Sequence, residues 1–166
     1  MRHAKSDLPT ISVSDFDRPL NIRGNADALL IGQWITDHDC IPDKILCSSA
    51  VRAQQTVHHI CQKTKVASRT VEINTDLYHA DLNQLLKMLK GSEDATSQLL
   101  MIGHNPGFSD LLRYQCSGAK YPTVEQSMTT AALAVIQFNM PWAMFCEGAG
   151  HLVSMVQPRN LQNAAT

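Results

Sequence analysis

Gln98-Leu99-Leu100-Met101-Ile102-Gly103-His104-Asn105-Pro106-Gly107 is the stretch whose reading decides the fold. Leu99 to Ile102 is apolar at every position and too short for a helix. Such a run reads as a strand covered on both faces, which is the habit of parallel sheets packed between helices. Asn105 can cap a following helix, with Pro106 at its first position. His104 then stands between a strand end and a helix start. In open α/β sheets that is where ligands bind.

The same layout recurs upstream. Lys44-Ile45-Leu46-Cys47-Ser48 reads as a short buried strand, and Ser49 as the N-cap of a helix running to about Lys63. Ala53, Val57, Ile60 and Cys61 share one face of it. Arg52 falls in its first turn, where backbone N–H groups and the positive end of the helix dipole gather and favour an anion.

Around these two units the periodicity supplies the rest. Ala28, Ile31 and Ile35, widened by Leu30 and Trp34, predict a helix over 25–38. Residues 70–73 predict a strand and 76–80 a turn. Leu82, Leu85, Leu86 and Leu89 predict a helix that stops at Gly91. Residues 114–127, with Gly118 and Pro122, read as a loop. Residues 132–138 and 152–156 predict two closing strands, with Pro141 and Gly148 between them, able to form a hairpin. From Pro158 the polar tail is expected to fray, with 161–166 disordered. The order β-α-β-α-β-α plus two strands is an α/β sandwich, a single domain over 1–160.

Composition excludes several classes. The 166 residues are 44% hydrophobic with a net charge of −1, so broad electrostatic binding to nucleic acid or an anionic membrane is not expected. No apolar run is long enough to span a bilayer, and the polar opening residues are not expected to act as a signal peptide. Five cysteines at irregular spacing, with no Cys-x-x-Cys, predict reduced and mostly buried thiols in the cytoplasm. His58-His59 with Cys61 is a poor metal site, since adjacent histidines leave a helix on different sides.

Arg2-His3-Ala4-Lys5-Ser6 carries the chemistry. An arginine can fork onto two phosphate oxygens, and a neutral histidine is a nucleophile near pH 7. The polar loop 4–23 that follows is long for so small a domain and is expected to be functional.

These stretches, taken together, resemble the histidine phosphatase (phosphoglycerate-mutase-like) superfamily, and within it the small SixA-type phosphohistidine phosphatases. The residues that carry the resemblance are Arg2-His3-Ala4-Lys5-Ser6, Arg18-Pro19-Leu20-Asn21 with Arg23-Gly24, Ser48-Ser49 with Arg52-Ala53 and Gln55-Thr56, Leu77-Tyr78-His79-Ala80, Gly103-His104-Asn105-Pro106-Gly107 and Pro158-Arg159. The resemblance implies a three-layer α/β/α sandwich with a mostly parallel central sheet. It implies that His3 attacks phosphorus, becomes phosphohistidine and is released by water. Arg2, Arg52 and His104 would line the phosphate pocket, and Arg18 and Asn105 would reach the phosphate or the substrate. No metal and no cofactor are implied. The partner would be a phosphorylated protein, such as a histidine phosphotransfer domain, or a small phosphorylated molecule.

The chain departs from that family pattern in two ways. Relatives carry a buried strand directly before the Arg-His, and here only Met1 precedes it. The expectation is a natural start upstream, with Met1 an internal methionine or a misassigned start. Without such a strand its neighbours would leave buried backbone groups unpaired, at about 1–3 kcal/mol each. Mutase-like relatives also use a glutamate as general acid in the segment matching 76–81. Here Asp76 and Asp81 are the candidates. A weak acid suits an imidazole leaving group, whose nitrogen protonates near pH 6.5, better than an alcohol. That favours phosphohistidine in a protein.

The rival readings are a small-molecule phosphomonoesterase of the same superfamily, and a phosphoprotein-binding module with little turnover. A Cys-based phosphatase fails on spacing: Cys47 and Arg52 make Cys-x4-Arg where Cys-x5-Arg is needed. A mutase is disfavoured because the chain lacks the insertions that shape a sugar-phosphate site.

Overall fold

The computed structural model describes residues 1–116 and 128–163. The elements are α1 (Ile22–Asp37), β1 (Lys44–Ser48), α2 (Val51–Thr64), β2 (Val71–Asn74), α3 (Leu82–Lys90), β3 (Leu99–Ile102), α4 (Gly107–Gln115), β4 (Leu133–Gln137), β5 (His151–Val156) and α5 (Pro158–Asn163). β2, β1 and β3 form a parallel sheet in that order, and β4 with β5 an antiparallel pair.

Strand pleating sends alternate residues to opposite faces, and here both faces are covered. Ile45, Cys47, Leu100 and Ile102 join the cluster of Ala28, Ile31 and Ile35 of α1 with Ala53, Val57 and Ile60 of α2. Leu46 and Met101 join Leu85 and Leu89 of α3 with Phe108 and Leu112 of α4. This is the three-layer α/β/α architecture, and it explains why β3 is apolar throughout.

Residues 1–3 lie between the two β units. Gly103 N–H donates to Met1 O at 3.2 Å and His3 N–H to Gly103 O at 3.0 Å. On the other side Arg2 N–H donates to Ala132 O and Ala131 N–H to His3 O, both at 3.0 Å. At this end of the sheet the neighbours do find their partners. Farther down, residues 99–101 and 133–138 line a cavity of about 770 Å³, with Met1 at its edge.

Several local expectations are corrected. Ser49 does not cap α2: the N-cap is Ala50, with no side-chain bond. Asn105 does not cap α4 either; the N-cap is Pro106, after a cis Asn105–Pro106 peptide. The tail forms α5 through Asn163 rather than fraying from Pro158. Leu161 there packs on the α1–α2 cluster. The cysteines are free, but only Cys47 and Cys116 are buried, and Cys146 is exposed. Gly118, Pro122 and residues 164–166 lie outside the described residues.

Candidate active site

Three chain segments end at one place. The strand-like residues 1–3 deliver Arg2 and His3, β1 delivers Ser48 and leads into Arg52, and β3 delivers His104. Glycine permits the last of these. A Cβ on Gly103 would come within 2.4 Å of the Phe108 ring. Any side chain there would push β3 away from α4.

His3 is buried, and its Nδ1 lies 2.7 Å from Ala4 O. A carbonyl only accepts, so Nδ1 carries the hydrogen and Nε2 the lone pair. Arg52 Nε donates to that Nε2 at 3.3 Å. His104 has the opposite tautomer. Its Nδ1 accepts from Arg52 Nη2 at 3.3 Å, so Nε2–H donates to Ser48 Oγ at 2.8 Å. The two rings stand 5.0 Å apart. Both are neutral, and both turn a lone pair toward one guanidinium that is only 2% exposed.

The charge states follow. Burial first, then the cations of Arg52, Arg2 and Arg18, hold His3 down at about 4 against the favourable Ala4 carbonyl. Burial, the neighbouring His3 and Arg52 hold His104 down at about 3. A nucleophile must be unprotonated, and His3 is so throughout the neutral range. The Cys47 thiol is pushed up to about 12 by burial, which removes it as a thiolate nucleophile.

Depressed histidines have a cost in acid. An unfolded histidine binds a proton below about pH 6.5 that folded His3 and His104 refuse until far lower pH. The unfolded chain binds more protons in that window, so stability falls as pH falls from neutral toward 4. The expected loss between pH 7 and 4.5 is on the order of 2–3 kcal/mol for each histidine. Urea midpoints at the two pH values measure it, and His104→Gln should shrink the difference.

Arg2 donates Nη1 to Met128 O at 3.1 Å. Its Nε is buried and without a partner among the described residues, a donor left over for a ligand. Asn105 Nδ2 donates to the same Met128 O at 2.9 Å, and its Oδ1 is likewise unpartnered. Arg18 stands one step back, bound to Asp15 Oδ1 at 2.5 Å and to Ser6 Oγ at 3.2 Å.

The two candidate acids are not placed as the sequence suggested. Asp81 accepts from Gln84 N–H at 2.8 Å in a capping box that starts α3. Asp76 is exposed in the turn before it, its N–H tied to Asn74. From that segment it is Tyr78 and His79 that reach the site, with ring centroids 5.5 and 5.8 Å from His104. Sequence reasoning missed them as site residues, and it missed Asp15. The Asp15 carboxylate accepts from Arg52 Nη2 at 2.9 Å and from the Tyr78 hydroxyl at 2.9 Å, and its backbone carbonyl accepts from Arg52 Nη1. The signal was present in the length and polarity of loop 4–23, but it did not single out one residue.

A hidden support holds His3 and Arg52 together. Thr56 Oγ1 accepts from Ala4 N–H at 3.0 Å and donates to Arg52 O at 2.7 Å. Thr56→Val keeps the shape but strands a buried N–H. It should lower stability by about 1–3 kcal/mol, read from the urea midpoint.

The family model for the histidine phosphatase superfamily (branch 1) matches residues 1–100. The chain belongs to the histidine phosphatase superfamily. An uncharacterized Mycobacterium tuberculosis protein, Rv1276c, is 32% identical over 166 residues, covering 96% of this chain and all of the relative. The protein histidine phosphatase SixA, solved with tungstate, superposes with a TM-score of 0.80 at 24% identity, over 97% of this chain and 96% of that one. A mycobacterial glucosyl-3-phosphoglycerate phosphatase, Rv2419c, superposes with a TM-score of 0.63 at 14% identity, over 92% and 95%. At these identities the two structures establish a shared fold. The histidine phosphatase fold thus carries enzymes of different substrates, and the substrate of this chain has to be argued from its own side chains.

Proposed function

We propose that this histidine phosphatase superfamily member removes phosphate from phosphohistidine in a protein, through a phosphohistidine intermediate on His3. One observation carries the reading: two buried neutral imidazoles and the buried guanidinium of Arg52 converge on one point. A phosphoryl group there would meet the His3 Nε2 lone pair at phosphorus. Arg52, the spare Arg2 Nε and His104 would hold its oxygens. The incoming anion would favour a proton on His104 Nδ1 and turn that acceptor into a donor. Phosphoryl transfer asks mainly for such positioning and charge stabilisation.

The tungstate in the SixA structure is a tetrahedral oxyanion bound by a protein of the same fold, which agrees with a phosphate pocket here. Phosphohistidine is favoured over an ordinary phosphoester because neither Asp76 nor Asp81 is set as a proton donor, and an alcohol leaving group depends on one.

The test is incubation with a protein carrying ³²P-phosphohistidine. Release of inorganic phosphate, with acid-labile label trapped on His3 in a quenched reaction, is the expected result. Retention of the phosphoprotein without release would instead indicate a binding module.

A further inference from the structure

Arg52 is shared between its two ends. Its Nε points to His3, while Nη1 and Nη2 reach the Asp15 carbonyl and carboxylate. A carboxylate therefore stands at the other end of the Arg52 guanidinium from His3. It is half-exposed, and Arg18, Arg52, Tyr78 and, at 3.7 Å, His79 Nε2 surround it. A negative charge beside a phosphate site weakens binding of any simple phosphate dianion. Fixing Arg52 alone would not need it, since an uncharged acceptor could take the same hydrogen bond. What a carboxylate adds is attraction for a cation at that end of the site.

From this placement we infer that Asp15 is a specificity-determining residue: its carboxylate accepts the remote N–H of a protonated, N-phosphorylated imidazole and so selects phosphohistidine over phosphoesters. The inference rests on the function proposed above and names how that site chooses its substrate. Burial alone would raise the Asp15 pKa, but hydrogen bonds from Tyr78, Arg18 and Arg52 hold it well below the usual carboxylate range. It is an acceptor at neutral pH, not a proton donor.

The step balances without an acid. The His3 Nε2 lone pair forms the new N–P bond. The electrons of the old N–P bond stay on the substrate ring, which leaves as neutral imidazole, still protonated on its remote nitrogen. Charge passes from one ring to the other. On the nucleophile side Ala4 O holds the remote N–H of His3; on the leaving side Asp15 holds its counterpart. Water then attacks phosphorus, the N–P electrons return to His3 Nε2, and the product is dihydrogen phosphate.

Asp15→Asn keeps the shape and an acceptor for Arg52 but removes the charge. Purified wild type and variant are compared with N-phosphoimidazole and with p-nitrophenyl phosphate, and with inorganic phosphate as inhibitor. The variant should lose about tenfold or more in its kcat/KM preference for N-phosphoimidazole, as expected for loss of a charge-assisted hydrogen bond. Inorganic phosphate should inhibit it several-fold more strongly, because a like charge has gone. An unchanged preference, or phosphate inhibition weakened along with both activities, overturns the inference and leaves Asp15 as a support for Arg52. Wild type that releases phosphate neither from these substrates nor from the ³²P-phosphohistidine protein overturns the proposed function itself, and this inference with it.

Discussion

His3→Ala is expected to reduce turnover of a phosphohistidine protein by roughly 10³-fold or more and to abolish covalent labelling. On the proposed mechanism, removal of the nucleophile deletes both chemical steps. The second lone pair in the pocket belongs to His104 Nδ1. His104 cannot replace His3. Its Nε2–H is committed to Ser48 and its Nδ1 lies against Arg52 Nη2, on the flank of the pocket. Single-turnover kinetics with ³²P substrate, followed by acid and base stability of the labelled protein, measure both effects. The fold should tolerate the change: the bonds of His3 to Gly103 and Ala131 belong to the backbone, and only the side-chain bond from Nδ1–H to Ala4 O is lost. Wild-type circular dichroism alongside lost label is the expected pair of results. A variant that still turns over at more than a hundredth of the wild-type rate would show that His3 is not the nucleophile.

Arg52→Lys is the second large effect, expected to lower kcat/KM by about 10²–10³-fold. Charge is conserved, so the loss isolates geometry. The guanidinium donates at once to His3, to His104 and to Asp15, from its separate Nε, Nη1 and Nη2 groups. An ammonium is a single compact donor and cannot span those positions. Removal of Arg52 also takes away part of what keeps both histidines neutral, because its charge lowers the pKa of each. Lysine would keep much of that effect. A preserved acid limb in the pH–rate profile with a depressed plateau is therefore the signature expected of the variant. A uniform shift of the profile would argue that charge, not the fork, matters.

The two crossings from strand to helix, at 44–56 and 98–107, were legible because local signals and the tertiary arrangement agree. An apolar strand with both faces covered, followed by a turn residue and a helix, puts its last side chain at the ligand-binding edge whatever the loops do. Arg52 and His104 were placed at that edge for this reason, and Arg2-His3 was singled out by its chemistry. Ser49 and Asn105 were misread as caps because each helix starts one residue later, after Ala50 and Pro106; Ser49 Oγ is buried without a partner among the described residues, and Asn105 turns its Nδ2 to Met128 O. α5 was read as frayed because proline and polar residues dominate its sequence, while its stability comes from Leu161 packing on distant α1 and α2. Asp15, Tyr78 and His79 were illegible for a deeper reason. Their importance comes from a meeting of two loops far apart in sequence, at the Asp15–Tyr78 hydrogen bond, and no local pattern encodes such a meeting.

The few residues that thread between β3 and β4 do double service. The bonds that present His3 to the pocket are also the seam that fastens the β4–β5 hairpin to the parallel sheet. A transient opening of that seam, well short of global unfolding, would swing the imidazole out of line. Catalytic competence and the docking of the hairpin would then come and go together, so that exchange of the Ala131 and His3 amide protons reports how often the enzyme is briefly switched off.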